Sequence, residues 1–203
     1  MLKGIYAISD PSLMPNSKIF IPLKEAIKAG INIFQLRDKT SKDIEIKSLV
    51  LELDDFCKEK NVQFVLNDRV DLAINLGVSG LHIGKKETKE LYSKEELKKI
   101  RQDFKGILGI SCYGSLELAN RAYEVQADYV AFGACFPSLT KPNAKRLDLE
   151  IFSQFNALPK CAIGGIKATN VSLIKNAQMV ACIKGIWEGN ITQNIEALKQ
   201  NFV

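Results

Sequence analysis

Short apolar runs alternate with amphipathic stretches along this chain, eight times in succession. The runs are Gly4–Ile8, Ile31–Leu36, Val62–Leu66, Gly80–Ile83, Ile107–Ile110, Tyr129–Phe132, Cys161–Ile163 and Met179–Ile183. Each is too short for a stable helix and apolar at nearly consecutive positions, as in strands covered on both faces. Between them the apolar residues recur at helical spacing. The predicted helices are Leu23–Ala29, Asp43–Lys58, a short one over Asp71–Leu76, Ser93–Arg101, Ser115–Val125, Leu149–Phe155, Thr169–Asn176 and Ile191–Asn201. In Asp43–Lys58 the residues Ile46, Leu49, Val50 and Leu53 share one face, and Ser93 with Glu96 has the spacing of a capping box. A strand followed by a helix, repeated, requires parallel pairing with helical crossovers. Eight such units predict an α/β fold of the (β/α)8 TIM-barrel type. The rival is an open doubly wound sheet, but Ser9-Asp-Pro-Ser12 follows the first run where a glycine-rich phosphate turn would stand. At 203 residues the barrel leaves room for few insertions. With no linker or low-complexity tract, residues 1–203 are expected to form one domain.

Composition narrows the function classes. No apolar run approaches the roughly 20 residues of a membrane span, and the N-terminus runs into the first strand without a signal-peptide pattern, so a cytoplasmic protein is expected. The five cysteines are odd in number and widely spaced, and there is one histidine, His82. That argues against a zinc site or a disulfide framework. A net charge of +5 without a long basic block suits anionic small molecules better than nucleic acid. A homo-oligomer is left open.

In a parallel barrel the active site collects the loops after the strands' C-terminal ends. Those ends read Gln35-Leu-Arg-Asp-Lys39, Asn67-Asp-Arg69, His82-Ile-Gly-Lys-Lys-Glu87, Ser111-Cys-Tyr113, Gly133 to Lys141, Gly164-Gly-Ile166 and Lys184-Gly185. Alternation projects Gln35, Arg37 and Lys39 together; a guanidinium fork and an ammonium make a phosphate receptor. Gly164-Gly165 leads into a helix start, where bare N–H groups receive anions. Two carboxylates, Asp68 and Glu87, among many cations suit Mg2+ shared with a polyphosphate. Taken singly, several of these residues have plainer readings. His82 in an apolar strand reads as a satisfied core histidine, and Arg69 and Asp71 as pairing and capping at a helix start. Trp187 reads as packing, and Phe136 equally as packing or as facing substrate. Cys112 and Cys135 have no neighbouring histidine to activate a thiolate.

Taken together, these segments resemble those of the thiamine phosphate synthase family over nearly the whole chain. Tyr-Ala-Ile-Ser-Asp10 is similar to its first strand, Gln-Leu-Arg-Asp-Lys39 to its diphosphate segment and Asn-Asp-Arg-Val-Asp-Leu-Ala73 to its metal segment. Phe-Gly-Ala-Cys-Phe-Pro-Ser-Leu-Thr-Lys141 resembles its phosphate loop, and Ala-Ile-Gly-Gly-Ile166 its thiazole-phosphate site. The resemblance implies a transferase of thiamine biosynthesis. It joins a hydroxymethylpyrimidine diphosphate to a thiazole phosphate and releases pyrophosphate through a stabilised pyrimidine methyl cation. The implied roles follow residue by residue. Arg37, Lys39 and Lys141, with Asn67, hold the diphosphate, and Asp68 assisted by Glu87 holds Mg2+. Ser111 and Thr140 position groups at the reacting centre. Gln35, Ser138, Gly164, Gly165, Lys184 and Gly185 bind substrate, Gly165 and the strand-eight end taking the thiazole phosphate.

The chain also departs from the family pattern. His-Ile-Gly-Lys-Lys-Glu87 stands for His-Leu-Gly-Gln-x-Asp, Ser-Cys-Tyr113 for Ser-x-His, and Lys184 for a usual serine. Two alternatives therefore accompany the synthase reading. One is a thiazole tautomerase-like isomerase of the same fold, working by acid–base proton transfer without metal. The other is a non-catalytic binder of phosphorylated ligands.

Overall fold

The computed structural model of the protein describes residues 2–137 and 146–202. Eight parallel strands close on themselves in sequence order: β1 (Gly4–Ile8), β2 (Ile33–Leu36), β3 (Gln63–Asn67), β4 (Gly80–Ile83), β5 (Ile107–Tyr113), β6 (Tyr129–Phe132), β7 (Lys160–Ile163) and β8 (Met179–Cys182). Closure is direct, with Tyr6 of β1 beside Ala181 of β8. Around the strands run α1 (Phe20–Ala29), α2 (Asp43–Glu59), α3 (Val70–Leu76), α4 (Lys94–Asp103), α5 (Leu116–Glu124), α6 (Ile151–Gln154), α7 (Lys184–Trp187) and α8 (Ile191–Asn201). The expected TIM barrel is present. Among the described residues no helix is long and apolar enough to cross a membrane.

Strand parity divides the apolar residues into two bodies. Outward residues such as Ile5, Phe34, Leu66, Leu81, Val130 and Val180 meet the helices in the larger core. Inward residues, among them Tyr6, Ile33, Val65, Tyr129, Cys161 and Met179, fill the barrel. Each strand is thus buried on both sides, which is why it reads as a continuous apolar run. Gly109 is fitted to this interior: a Cβ there would lie 2.0 Å from the Tyr129 ring, so a large residue on β6 faces none on β5.

Local sequence explains most helix ends. Ser93 caps α4 by accepting from Glu96 N, and Glu96 returns a bond to Ser93 N. Helix α1 begins at Phe20, earlier than Leu23, because Pro22 falls in the first turn where it is tolerated. Two expectations change. Thr169–Asn176 forms no α-helix; one 3-10 turn spans Val171–Leu173. There Asn170 accepts from Lys167 N and donates to Gly165 O, drawing the backbone into a loop. And the rim segment that begins at Lys184-Gly185 forms a single helical turn, α7, directly after β8.

Candidate active site

The C-terminal ends of the strands open into one cavity of about 2020 Å³. Pockets for a single small ligand commonly measure roughly 300–1,000 Å³, so there is room here for two. Of the residues anticipated from sequence, Gln35, Arg37, Lys39, Asn67, Asp68, Glu87, Ser111, Gly164, Gly165, Lys184 and Gly185 all line it. Ser138, Thr140 and Lys141 lie outside the described residues.

Beyond Leu36 the chain leaves β2 and folds around Asp38, a residue whose importance sequence reasoning missed. Asp38 is buried and accepts from Asn16 Nδ2, from the backbone N–H and hydroxyl of Thr40, and from the same two groups of Ser41. Burial works to raise its pKa, but this set of donors holds the carboxyl well below its usual range. The signal was present in Asp-Lys-Thr-Ser41, an aspartate followed by hydroxyl residues that favour such turns. Arg69 fastens the same loop from β3, pairing with Asp43 and donating to the carbonyls of Asp38 (2.8 Å) and Ser41 (2.6 Å). Its pairing at a helix start is structural, as anticipated. The backbone N–H of Arg37 is held by Ser9 Oγ at 2.8 Å. The rim of β2 is therefore rigid while Arg37 and Lys39 keep their charged ends at the cavity.

Asp68 sits in left-handed backbone, φ 61. This turns its carboxylate back over the barrel mouth. Oδ1 accepts from Gly84 N at 3.0 Å, Oδ2 from Asn67 Nδ2 at 2.8 Å, and Lys39 Nζ is 3.2 Å from Oδ2. At Gly84 a Cβ would lie 3.5 Å from Tyr113 Oη, 3.6 Å from Ser111 Oγ and 3.7 Å from Asp68 Oδ1. The absence of a side chain at Gly84 thus lets three oxygens from β3 and β5 face one small space. Strand β5 reaches this space through a bulge between Ser111 and Tyr113, with Tyr113 at φ 53. Lys85 Nζ lies 5.3 Å from the Tyr113 ring centroid, whereas Lys86 turns to Glu96 (2.6 Å) and the Tyr92 ring. Glu87 is exposed on the same loop.

On the opposite rim, glycines let three loops meet. A Cβ on Gly165 would stand 2.4 Å from Pro137 O, and one on Gly185 2.4 Å from Ile166 O. Only bare backbone permits this approach, and Gly164 and Gly165 also take positive φ (102 and 63). Lys184 opens α7 and pairs with Glu188 at 2.8 Å. Burial acts to raise the Asp10 carboxyl, but it is lowered by bonds from Ser12 and by the charges of Arg37 and Lys184. Those two cations therefore share one neighbourhood.

The barrel floor is polar in a way the sequence did not reveal. Gln35 Nε2 donates to Tyr6 Oη at 2.6 Å; Tyr6 Oη and Tyr129 Oη are 2.9 Å apart. Tyr129 Oη is 2.9 Å from His82 Nδ1, and His82 Nε2 is 2.8 Å from Ser111 Oγ. His82 is thus a satisfied interior histidine, as its strand position suggested. Burial depresses its pKa to about 4 against a weaker opposing pull from Asp68, which keeps the imidazole neutral at pH 7. Trp187 and Phe136 both pack: Trp187 Nε1 donates to Ile8 O at 2.6 Å, and Phe136 is buried. All five cysteines are free and buried, with the Cys112 and Cys135 thiols pushed up to about 12 by burial. No nucleophilic thiolate is available there.

Comparison with known proteins bears on this geometry. Residues 5–186 match the family described as Thiamine monophosphate synthase. The chain is 44% identical over 197 residues to the thiamine-phosphate synthase of Wolinella succinogenes, covering 95% of this chain and 89% of that protein. It is 34% identical over 202 residues to the thiamine-phosphate synthase of Alcanivorax borkumensis, covering 97% and 90%. Among solved structures, the thiamine phosphate pyrophosphorylase of Pyrococcus furiosus superposes with a TM-score of 0.81 at 27% identity, covering 98% of this chain and 94% of that one.

Proposed function

The chain belongs to the thiamine monophosphate synthase family, and from that premise we propose that it is a transferase joining a hydroxymethylpyrimidine diphosphate to a thiazole phosphate with release of pyrophosphate. The observation that supports this reading is the convergence of Arg37, Lys39, Asn67 and Asp68 on one side, and Gly164, Gly165, Lys184 and Gly185 on the other, around a single cavity. Two anionic guests can lie there with their rings between.

The reaction breaks the C–O bond between the pyrimidine methyl carbon and the diphosphate, and the electron pair leaves with the diphosphate. The lone pair of the thiazole nitrogen then forms the new C–N bond. No strong base is needed. What is needed is charge stabilisation on the leaving group and two reactants held in line. Arg37 offers a fork to non-bridging phosphate oxygens. Lys39 exchanges its contact with Asp68 for the diphosphate. Asn67 holds the Asp68 carboxylate and presents its remaining polar atoms to the same group. The glycine-lined rim and Lys184 receive the thiazole phosphate.

The donor set also fits Mg2+. Asp68 is fixed by Gly84 and Asn67, and hydroxyl oxygens of Ser111 and Tyr113 face the same space beside Gly84. Among the described residues no three His, Cys, Asp or Glu side chains gather; this ion commonly uses one or two carboxylates, with water and substrate phosphate completing an octahedron. Asp68 assisted by Glu87 would hold it, and bound Mg2+ supplies positive charge to the departing diphosphate. Five reduced cysteines fit a cytoplasmic setting.

The test is an assay offering both precursors with Mg2+, reading pyrophosphate and thiamine phosphate. Formation of both, lost on chelation, is the expected result. Turnover of a thiazole carboxylate phosphate alone with chelator present would identify a tautomerase instead. Ligand binding without either reaction would identify a binder.

A further inference from the structure

The hydrogen bonds across the barrel floor form one unbroken series of five side chains, from Gln35 on β2 through Tyr6 on β1, Tyr129 on β6 and His82 on β4 to Ser111 on β5. Its first link has a fixed direction, because the Gln35 amide nitrogen can only donate. Tyr6 oxygen is therefore an acceptor at that link. Tyr6 then has a single proton to place, and the nearest acceptor is Tyr129 Oη. If Tyr129 instead donated to Tyr6, the Tyr6 proton would be left without a partner inside the barrel, contrary to the pairing of buried polar groups. So Tyr6 donates to Tyr129, and the Tyr129 proton passes to the remaining neighbour, His82 Nδ1. A neutral imidazole that accepts at Nδ1 carries its proton on Nε2. That N–H points at Ser111 Oγ, which accepts it.

We propose that Tyr129, which Tyr6 donates to, is a positioning residue which, through His82, sets the proton direction of Ser111, so that its hydroxyl donates to the bound guest and selects for a hydrogen-bond acceptor atom there. This rests on the transferase reading for the identity of the guest: a ring nitrogen or ether oxygen of the pyrimidine substrate is the class of atom that fits. Ser111 Oγ is on the cavity side of the series, facing the space beside Gly84 with Asp68 Oδ1 and Tyr113 Oη. The aromatic members are rigidly seated: the His82 ring stacks on Tyr129 at 5.5 Å, and the two tyrosines meet edge to face at 6.1 Å. Tyr6 lines the cavity, whereas Tyr129 does not. The effect of Tyr129 on turnover is transmitted through the direction of these bonds.

His82 is the chain's sole histidine, so protein labelled with 15N-histidine gives two ring-nitrogen signals free of overlap. In the unmodified protein at pH 7.5, Nε2 is expected to show a protonated, pyrrole-type shift and Nδ1 a pyridine-type shift. Tyr129→Phe removes the donor to Nδ1, whereas Tyr6→Phe leaves Tyr129 with His82 Nδ1 as its remaining acceptor. Tyr129→Phe is therefore expected to populate the Nδ1–H tautomer, and Tyr6→Phe to keep Nε2–H. Tyr129→Phe is also expected to lower kcat roughly tenfold, the scale of substitutions that support a catalytic group, with KM for the thiazole phosphate unchanged. Loss of packing alone would not move the tautomer. An Nδ1–H tautomer in the unmodified protein overturns the proposal whether or not either variant folds. Unchanged ring shifts and unchanged kcat in Tyr129→Phe overturn it as well. An Nε2–H tautomer in a protein that releases no pyrophosphate refutes the transferase reading while the proton direction stands.

Discussion

Asp68→Asn separates the charge of Asp68 from its shape. The residue sits at φ 61, a conformation that asparagine adopts as readily as aspartate. Asparagine Oδ1 can still accept from Gly84 N, so the turn that aims residue 68 is retained. What disappears is the acceptor for Asn67 Nδ2 and the negative partner of Lys39. Lys39 and Asp68 side chains are 56% and 29% exposed, so their pair is screened and contributes at most about 1 kcal/mol. The Asn67 bond contributes about 1 kcal/mol more. The expected destabilisation is therefore about 1–2 kcal/mol, a fall in Tm of roughly 2–8 °C for a chain of this size, too small to unfold the protein at assay temperature. Activity should respond far more strongly. Loss of the carboxylate that would hold Mg2+ weakens the positive charge on the leaving group, and losing one such stabilising group typically lowers kcat by about 10²–10³. Pyrophosphate release at saturating Mg2+ and both precursors measures it, with a thermal melt on the same sample. Asp68→Ala is the contrasting variant, losing the Gly84 contact and adding roughly 1–2 kcal/mol of left-handed strain. If Asp68→Asn turned over within a few-fold of the unmodified protein, the charge at position 68 would have no part in the chemistry.

Three further outcomes follow from the same geometry. Glu87→Asp, the residue usual in the family, should keep or raise activity in the pyrophosphate assay; complete loss would mean the exposed loop is not positioned to bring the shorter carboxylate to the Asp68 site. Arg37→Ala should raise KM for the diphosphate substrate or lower kcat, while calorimetric affinity for the thiazole phosphate changes little. The buried His82 makes stability depend on acid: its folded pKa of about 4 lies below the roughly 6.5 of an unfolded histidine. The unfolded state therefore binds more protons between those values, and stability is lost as pH falls through that window. About 2 kcal/mol should disappear between pH 7 and pH 5, seen as a steeper Tm decline than in His82→Asn; parallel declines would contradict the burial argument.

The strands were legible because each is covered by helices outside and by side chains inside, which leaves an uninterrupted apolar run with a polar or glycine residue at its end. That rule alone recovered β1, β4 and β6 to the residue and brought eleven anticipated site residues to one cavity. The barrel floor was not legible for a related reason. Tyr6 and Tyr129 belong to strands that are not neighbours in the sheet, and their contact exists only because the barrel closes and Gly109 leaves space for a ring. Parity tells which residues point inward; it does not tell which of them meet across a diameter. Asp38 and α7 were hidden differently: one by turn chemistry within a segment read for its cations, the other by being a single turn long.

The residues that depart from the family pattern are compensated locally in the structure, which bears on whether they disable the site. The ammonium of Lys184 is answered by Glu188 one turn on, and that of Lys86 by Glu96. Lys85 lies against the Tyr113 ring, so the two departures on β4 and β5 pack on each other. Burial raises the Tyr113 phenol, with Asp68 adding to the effect, so it remains protonated beside Asp68 and adds no negative charge of its own. Lys85, Lys86, Tyr113 and Lys184 are thus each paired or stacked, Glu87 stands exposed on its loop, and the carboxylate of Asp68 keeps the three contacts that orient it. Random loss of function would leave the charges substituted at the rim unmatched. A rim whose basic and aromatic substitutions are matched to one another is better explained by retained use of the site than by its decay.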